Sequence, residues 1–118
     1  MPLVIEIKNG QGIYIGGTRM TASHKGGYTV LLFDGVDLPI MKVADTIALE
    51  VADTPVKLVY HHLHQAYLER SEEHFALAES FAQTLTEAEK AVYDEALPFV
   101  KGDKPFIGLK KMRRLAGV

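Results

Sequence analysis

The stretch Asp53 to Glu69, DTPVKLVYHHLHQAYLE, separates two kinds of periodicity in the chain. Before it, apolar residues recur at every second position; after it, at every third or fourth. A side-chain oxygen of Asp53 or Thr54 can accept from the orphan amides of a helix start, and Pro55 at the first helical position has no amide hydrogen to leave unpaired. Val56, Val59, Tyr60, Leu63 and Tyr67 then fall on one stripe of a 3.6-residue helix. The pattern predicts a helix that closes over a preceding sheet.

Upstream, Leu3, Ile5 and Ile7 alternate with Val4, Glu6 and Lys8, the period of a half-buried strand. Asn9-Gly10 suits a tight reversal and Gly12 to Gly16 resumes the alternation, so an N-terminal hairpin is expected. Gly16-Gly17 and Gly26-Gly27 enclose TRMTASHK, read as a mobile loop or the tip of a longer hairpin. Tyr28 to Phe33, YTVLLF, is apolar on both faces apart from Thr29 and predicts a central strand covered on both sides or by a second subunit. Leu38 to Val43 is a short strand that Pro39 confines to an edge or a strand start. Ile47, Leu49 and Val51 suggest one more strand.

Downstream, Ser71 precedes a helix with the stripe Phe75, Ala78, Phe81, Ala82 and Leu85. Thr86 with Glu89 forms a capping-box pattern that opens a third helix through Ala88, Val92 and Leu97, which Pro98 bends or ends. In the tail, Phe106, Leu109, Met112 and Leu115 or Ala116 can line one face of a last short helix, although Gly108 costs it about 1 kcal/mol. The fold class is therefore α+β. About five short antiparallel strands occupy residues 1–52, and three to four helices with a basic tail occupy residues 53–118, as one domain or a closely packed two-part chain.

Composition excludes more than it identifies. The 118 residues are 47% hydrophobic and 24% charged, within the range of ordinary globular chains. The absence of cysteine removes disulfides, thiol nucleophiles and thiolate metal sites. No apolar run approaches the roughly 20 residues of a membrane span, and the N-terminus lacks a signal-peptide build, so a cytoplasmic location is expected. The net charge of −2 hides a polarity: residues 101–118 carry +5, from six basic residues against Asp103, which leaves −7 for the first hundred. Such a tail either binds a polyanion or folds back on the chain's own acidic face.

No catalytic constellation is legible. His61, His62 and His64, with His74 nearby, invite a metal, yet neither HExxH nor a Glu-x-x-His spacing is present; a polar helix face with one packed histidine is the simpler reading. The glycines at 10, 12, 16 and 17 punctuate a hairpin and do not lead from a strand into a helix, as a phosphate loop must. No metal, no cofactor and no enzymatic activity are expected. Single-stranded RNA is commonly held by aromatics and basic groups on a sheet. Tyr14 and Tyr28 beside Arg19, Lys25 and Lys42 fit that role, or else both tyrosines belong to the core.

The order of these pieces resembles a known family. Met1-Pro2-Leu3, the Lys8 to Gly12 turn, Ile13 to Gly17, the apolar strand Val30 to Phe33, Ile40-Met41, and Thr54-Pro55 with Lys57, Tyr60 and Tyr67-Leu68 are similar in order and spacing to the flagellin-synthesis regulator FlbT, over residues 1–70. Where that family is usually basic, this chain reads DGVDLP. The resemblance implies an alpha-proteobacterial regulator that binds the 5′ leader of flagellin messenger RNA and works beside a flagellin-associated partner protein. The expected RNA-binding residues are then Arg19, Lys25, Tyr28, Lys42, Lys110, Lys111, Arg113 and Arg114, and the short edge strands with the doubly apolar YTVLLF suggest a homodimer that completes the sheet. The alternative is an adaptor or chaperone for flagellar or other assembly that binds protein through apolar helix faces, among them Phe106, Leu109 and Met112.

Overall fold

Strand alternation decides how the N-terminal half is layered. The computed structural model describes residues 3–8, 10–22, 28–33 and 39–118. Its strands are β1 (Leu3–Lys8), β2 (Gly12–Ile15), β3 (Thr18–Thr21), β4 (Tyr28–Phe33) and β5 (Ile40–Lys42). Among the described residues β1 pairs antiparallel with β4 as a two-stranded ribbon, while β3, β2 and β5 form a second antiparallel sheet in that order. Ile13 and Ile40 face the ribbon and bury with Ile7, with Ile5, Ile15 and Leu31 partly buried against them. Tyr14 and Met41, one residue out of phase, face the helices.

This pairing corrects three expectations. β1 and β2 do not form a hairpin: although the Gln11 amide donates to the Lys8 carbonyl at 3.0 Å, the two strands enter different sheets. The hairpin lies one step later, where Gly16-Gly17 joins β2 to β3 with Ile15 opposite Thr18. Gly16 has a φ of 59°, which a two-residue hairpin loop needs at its first position and a Cβ-bearing residue resists. Thr18 to Thr21 of the supposed loop is thus strand. β4 is no central strand, because β1 is its sole partner among the described residues and Val30 and Leu32 are exposed. The segment Ser23 to Gly27, the side chain of Tyr28, and Asp34 to Leu38 lie outside the described residues.

β5 is an edge strand entered directly after Pro39, as expected from that proline. Where a last strand is expected, at Ile47 to Val51, the chain instead forms a 3-10 turn, Leu49–Val51, preceded by another at Val43–Asp45. Alternation at Ile47, Leu49 and Val51 misled because the backbone closes short-range bonds here: Thr46 to Val43 and Ala52 to Leu49. Only Ile47 of the three is buried.

The helices are α1 (Pro55–Glu69), α2 (Glu72–Ala82), α3 (Glu87–Lys101) and α4 (Pro105–Ala116). Thr54 accepts from the Lys57 amide, Ser71 from His74, and Thr86 completes a reciprocal capping box with Glu89. α1 is a hub rather than a cover, for it buries Val56, Val59, Tyr60, Leu63 and Ala66 and also His62 and His64 among its neighbours. α3 runs through Pro98, which sits on its exposed side where the freed carbonyl of exposed Asp94 can meet water. Its fully buried stripe is Tyr93, Ala96 and Val100; of the expected stripe, Val92 and Leu97 flank it, partly buried against the core, and Ala88 is exposed. Tyr93 donates to Glu79 Oε2 at 2.6 Å and ties α3 to α2. Gly108 is buried where α4 crosses α3: a Cβ there would lie 2.4 Å from the Ala96 carbonyl oxygen.

Candidate functional site

Most of the basic tail folds as α4, and its period sorts the last four cations. Pro105 opens the helix and Gly117 closes it at a φ of 75°, with Arg113 and Arg114 in the last turn, where the helix dipole favours positive charge. Gly108, Leu109 and Met112 face the core. Lys111 and Arg113 flank that face and turn inward: Lys111 Nζ lies 3.0 Å from Glu95 Oε1, and Arg113 pairs with the carboxylate of Asp45. Asp45 is itself held by the hydroxyl of Tyr60, which donates to its backbone carbonyl. Lys110 and Arg114, one turn apart, point away with Phe106, which is 53% exposed, and neither has an ion-pair partner among the described residues.

At the start of α4 this exposed face meets a groove of about 460 Å³, within the roughly 300–1,000 Å³ of small-ligand pockets. The end of α1, the start of α2 and the end of α3 converge there, presenting Tyr67, Arg70, Glu72, Phe75 and Lys101. Tyr67 and Phe75 are half-buried. The Tyr67 hydroxyl accepts from the Ile40 amide at 3.3 Å, and its ring meets Phe106 edge-on at 5.2 Å between centroids. Burial pushes the Tyr67 phenol up from its ordinary value, so it stays neutral at physiological pH. Lys101 Nζ sits 5.1 Å from the centre of the Phe75 ring.

The histidines form structural clamps. His61 Nδ1 donates to the Ile47 carbonyl at 2.7 Å, and His64 Nε2 lies 3.1 Å from both the Ile47 amide nitrogen and its carbonyl oxygen, so two rings one turn apart grip the backbone of one residue. His74 Nε2 lies 2.8 Å from Glu69 Oε2 and donates to it, while its Nδ1 lies 3.1 Å from His62 Nδ1, the two nitrogens sharing one proton between them. Burial drives both His62 and His64 down to about 4, so both are neutral at physiological pH. Two histidines, not one, are packed into the core. Among the described residues no three His, Asp or Glu side chains converge as a metal site.

The other sequence-derived candidates scatter. Arg19 lies opposite Tyr14, and Lys42 opposite Ile13, so the two cations project from opposite faces of the same sheet. Tyr14 is packed against the main core and offers no outward ring. Lys25 and the Tyr28 side chain lie outside the described residues. For the protein-binding alternative, Leu109 and Met112 are buried, at 2% and 0% exposure, which leaves Phe106 and Ile107 as the exposed apolar pair on α4. Sequence reasoning missed the groove because Tyr67 and Phe75 read as core stripe and Lys101 as tail; only the convergence of four elements groups them.

A probable flagellum biosynthesis repressor protein FlbT, found in two strains of Rhodopseudomonas palustris, is 39% identical over 69 residues, covering 58% of this chain and 52% of theirs. Probable flagellum biosynthesis repressor protein FlbT 1 of Bradyrhizobium diazoefficiens is 34% identical over 68 residues, covering 58% of this chain and 45% of its own. The chain thus spans about half the length of the curated relatives it matches. No solved structure matches. The family model for flagellar protein FlbT, however, matches residues 3–118, well past the 70 residues over which the resemblance is visible by eye, and on that extent the chain belongs to the FlbT family.

Proposed function

We propose that this protein is a non-enzymatic regulator of flagellar synthesis that acts after transcription, by binding the 5′ leader of flagellin messenger RNA as a single strand. The relatives' name, flagellum biosynthesis repressor, supports the regulatory part of this reading. The observation that supports RNA as ligand is the exposed α4 face, where Phe106, Lys110 and Arg114 recur at one-turn spacing beside a groove holding further aromatics and cations. Aromatic platforms interleaved with cations bind single strands because every base has a π-face and every linkage a negative charge. Affinity for a flagellin leader should fall steeply with salt and weaken when Lys110, Lys111, Arg113 and Arg114 are replaced by Ala. No binding of the leader, or binding indifferent to salt, would overturn the proposal.

The exposure of Phe106 and Ile107 favours one second reading, an adaptor that docks a flagellar protein. Its mark is partner capture that survives high salt and is lost in Phe106→Ala and Ile107→Ala. Co-purification, asking whether RNA or protein accompanies the chain, separates the two classes.

A further inference from the structure

We propose that the groove between the end of α1, the start of α2 and the end of α3 is a nucleotide subsite. In this subsite a single RNA base stacks on Phe75, its phosphate is held by Lys101, and Glu72 selects against uracil. This deepens, and rests on, the RNA-binding reading above. Phe75 and Tyr67 supply the aromatic walls, and Lys101 and Arg70 supply positive charge at the mouth, which is the chemistry of a planar, anionic ligand.

The pairing of Lys101 with Phe75 suggests how the subsite works. An exposed ammonium 5.1 Å from the ring centre holds that position by a weak cation–π attraction. An arriving nucleotide offers both partners a better contact: the ring gains a stacked base, the stronger contact at an exposed site, and the ammonium swings to a phosphate oxygen. Lys101 is suited to this because four rotatable bonds let it move without shifting α3, which ends at that residue.

Glu72 is the discordant group, since a carboxylate repels phosphate. Placed in the groove lining on the first residue of α2, it suits the base edge instead. A carboxylate accepts hydrogen bonds and cannot give them, so its best complement is a base whose exocyclic amino group stands clear at the edge; the N3–H of uracil is also a donor, but it lies between two carbonyl oxygens that a carboxylate repels. Adenine, cytosine and guanine have such an amino group, and uracil has none. A salt-dependent but base-indifferent surface on α4 would thereby acquire one discriminating position at its end.

The test uses the full chain and fluorescein-labelled ten-nucleotide oligo(A), oligo(C) and oligo(U), with affinity read by fluorescence anisotropy at fixed salt. Oligo(A) and oligo(C) should bind more tightly than oligo(U), and Glu72→Gln should narrow that gap because its amide can donate as well as accept. Phe75→Leu should weaken oligo(A) at least about fivefold while Phe75→Tyr, which keeps a stacking face, should not. Lys101→Gln should weaken all three and shallow the salt slope by about 0.7. Should Phe75→Leu fail to fold, by circular dichroism, the Lys101→Gln and Glu72→Gln arms decide alone. Binding of all three oligomers that none of these variants alters would sink the subsite yet leave RNA binding by α4 standing; no binding by the unaltered chain would overturn both.

Discussion

Arg113 of α4 pairs with Asp45, 68 residues earlier, and so fastens the C-terminal helix to the turn that follows the sheet. The consequence is that a positively charged tail is partly self-satisfied: of its last four cations, Lys111 and Arg113 pair with the chain's own carboxylates. Both side chains of the Arg113 pair are about a third or more exposed, so its worth is that of a surface pair, about 0.2–1 kcal/mol. A double-mutant cycle with Asp45→Asn and Arg113→Ala, read by urea unfolding, should return a coupling energy in that range.

The two outward cations should behave differently from the two inward ones. Lys110→Gln with Arg114→Gln should leave unfolding unchanged and reduce the salt slope of RNA binding by roughly 1.4, the release of two contacts on a single strand. Lys111→Gln with Arg113→Gln should lower stability and leave more of the slope intact. Equal effects of the two pairs on the slope would contradict this partition.

Gly108 offers a sign test of local preference against packing. Helix propensity alone says that Gly108→Ala gains about 1 kcal/mol. The Cβ would sit 2.4 Å from the Ala96 carbonyl and 2.7 Å from Val100 Cγ2, so α3 and α4 must separate, at a cost of about 1–3 kcal/mol. Net destabilisation in urea or thermal unfolding is the expected outcome.

His62 and His64 make stability depend on pH in one direction. Unfolded, each imidazole protonates near 6.5; folded, burial holds each to about 4. Between those values the unfolded chain binds more protons, so stability is full above about pH 6.5 and falls as pH drops toward 4, by a total on the order of a few kcal/mol. His64→Gln should flatten the slope of unfolding free energy against pH across that window by about one proton, even if it lowers stability at neutral pH.

Removing a helix cap should have a local and modest effect. Thr86 accepts from the Glu89 amide while the Glu89 carboxylate accepts from the Thr86 amide at 2.9 Å. Thr86→Ala forfeits half of that exchange and should cost about 1 kcal/mol, seen as a shift in the urea midpoint with no change in RNA affinity.

Sequence alone determined the features whose causes lie within a few residues. Thr54, Ser71 and Thr86 start their helices because each supplies an oxygen to an amide three positions on, and Pro39 marks an edge because it lacks a donor. The change of period at Asp53 reveals an α+β chain for the same reason: which side chains can share a face follows from backbone geometry alone. Tertiary structure decided what depends on distant partners. Strand alternation reports that one face is buried but not against which strand, so β1 found β4 instead of β2, and Leu49 to Val51, with no strand paired to it among the described residues, coiled into a turn. The fate of each cation was settled the same way, because whether an Arg or Lys remains available to a ligand depends on where the nearest carboxylate comes to rest. For Arg113 and Lys111 those carboxylates belong to Asp45 and Glu95, and only the folded chain brings them within reach.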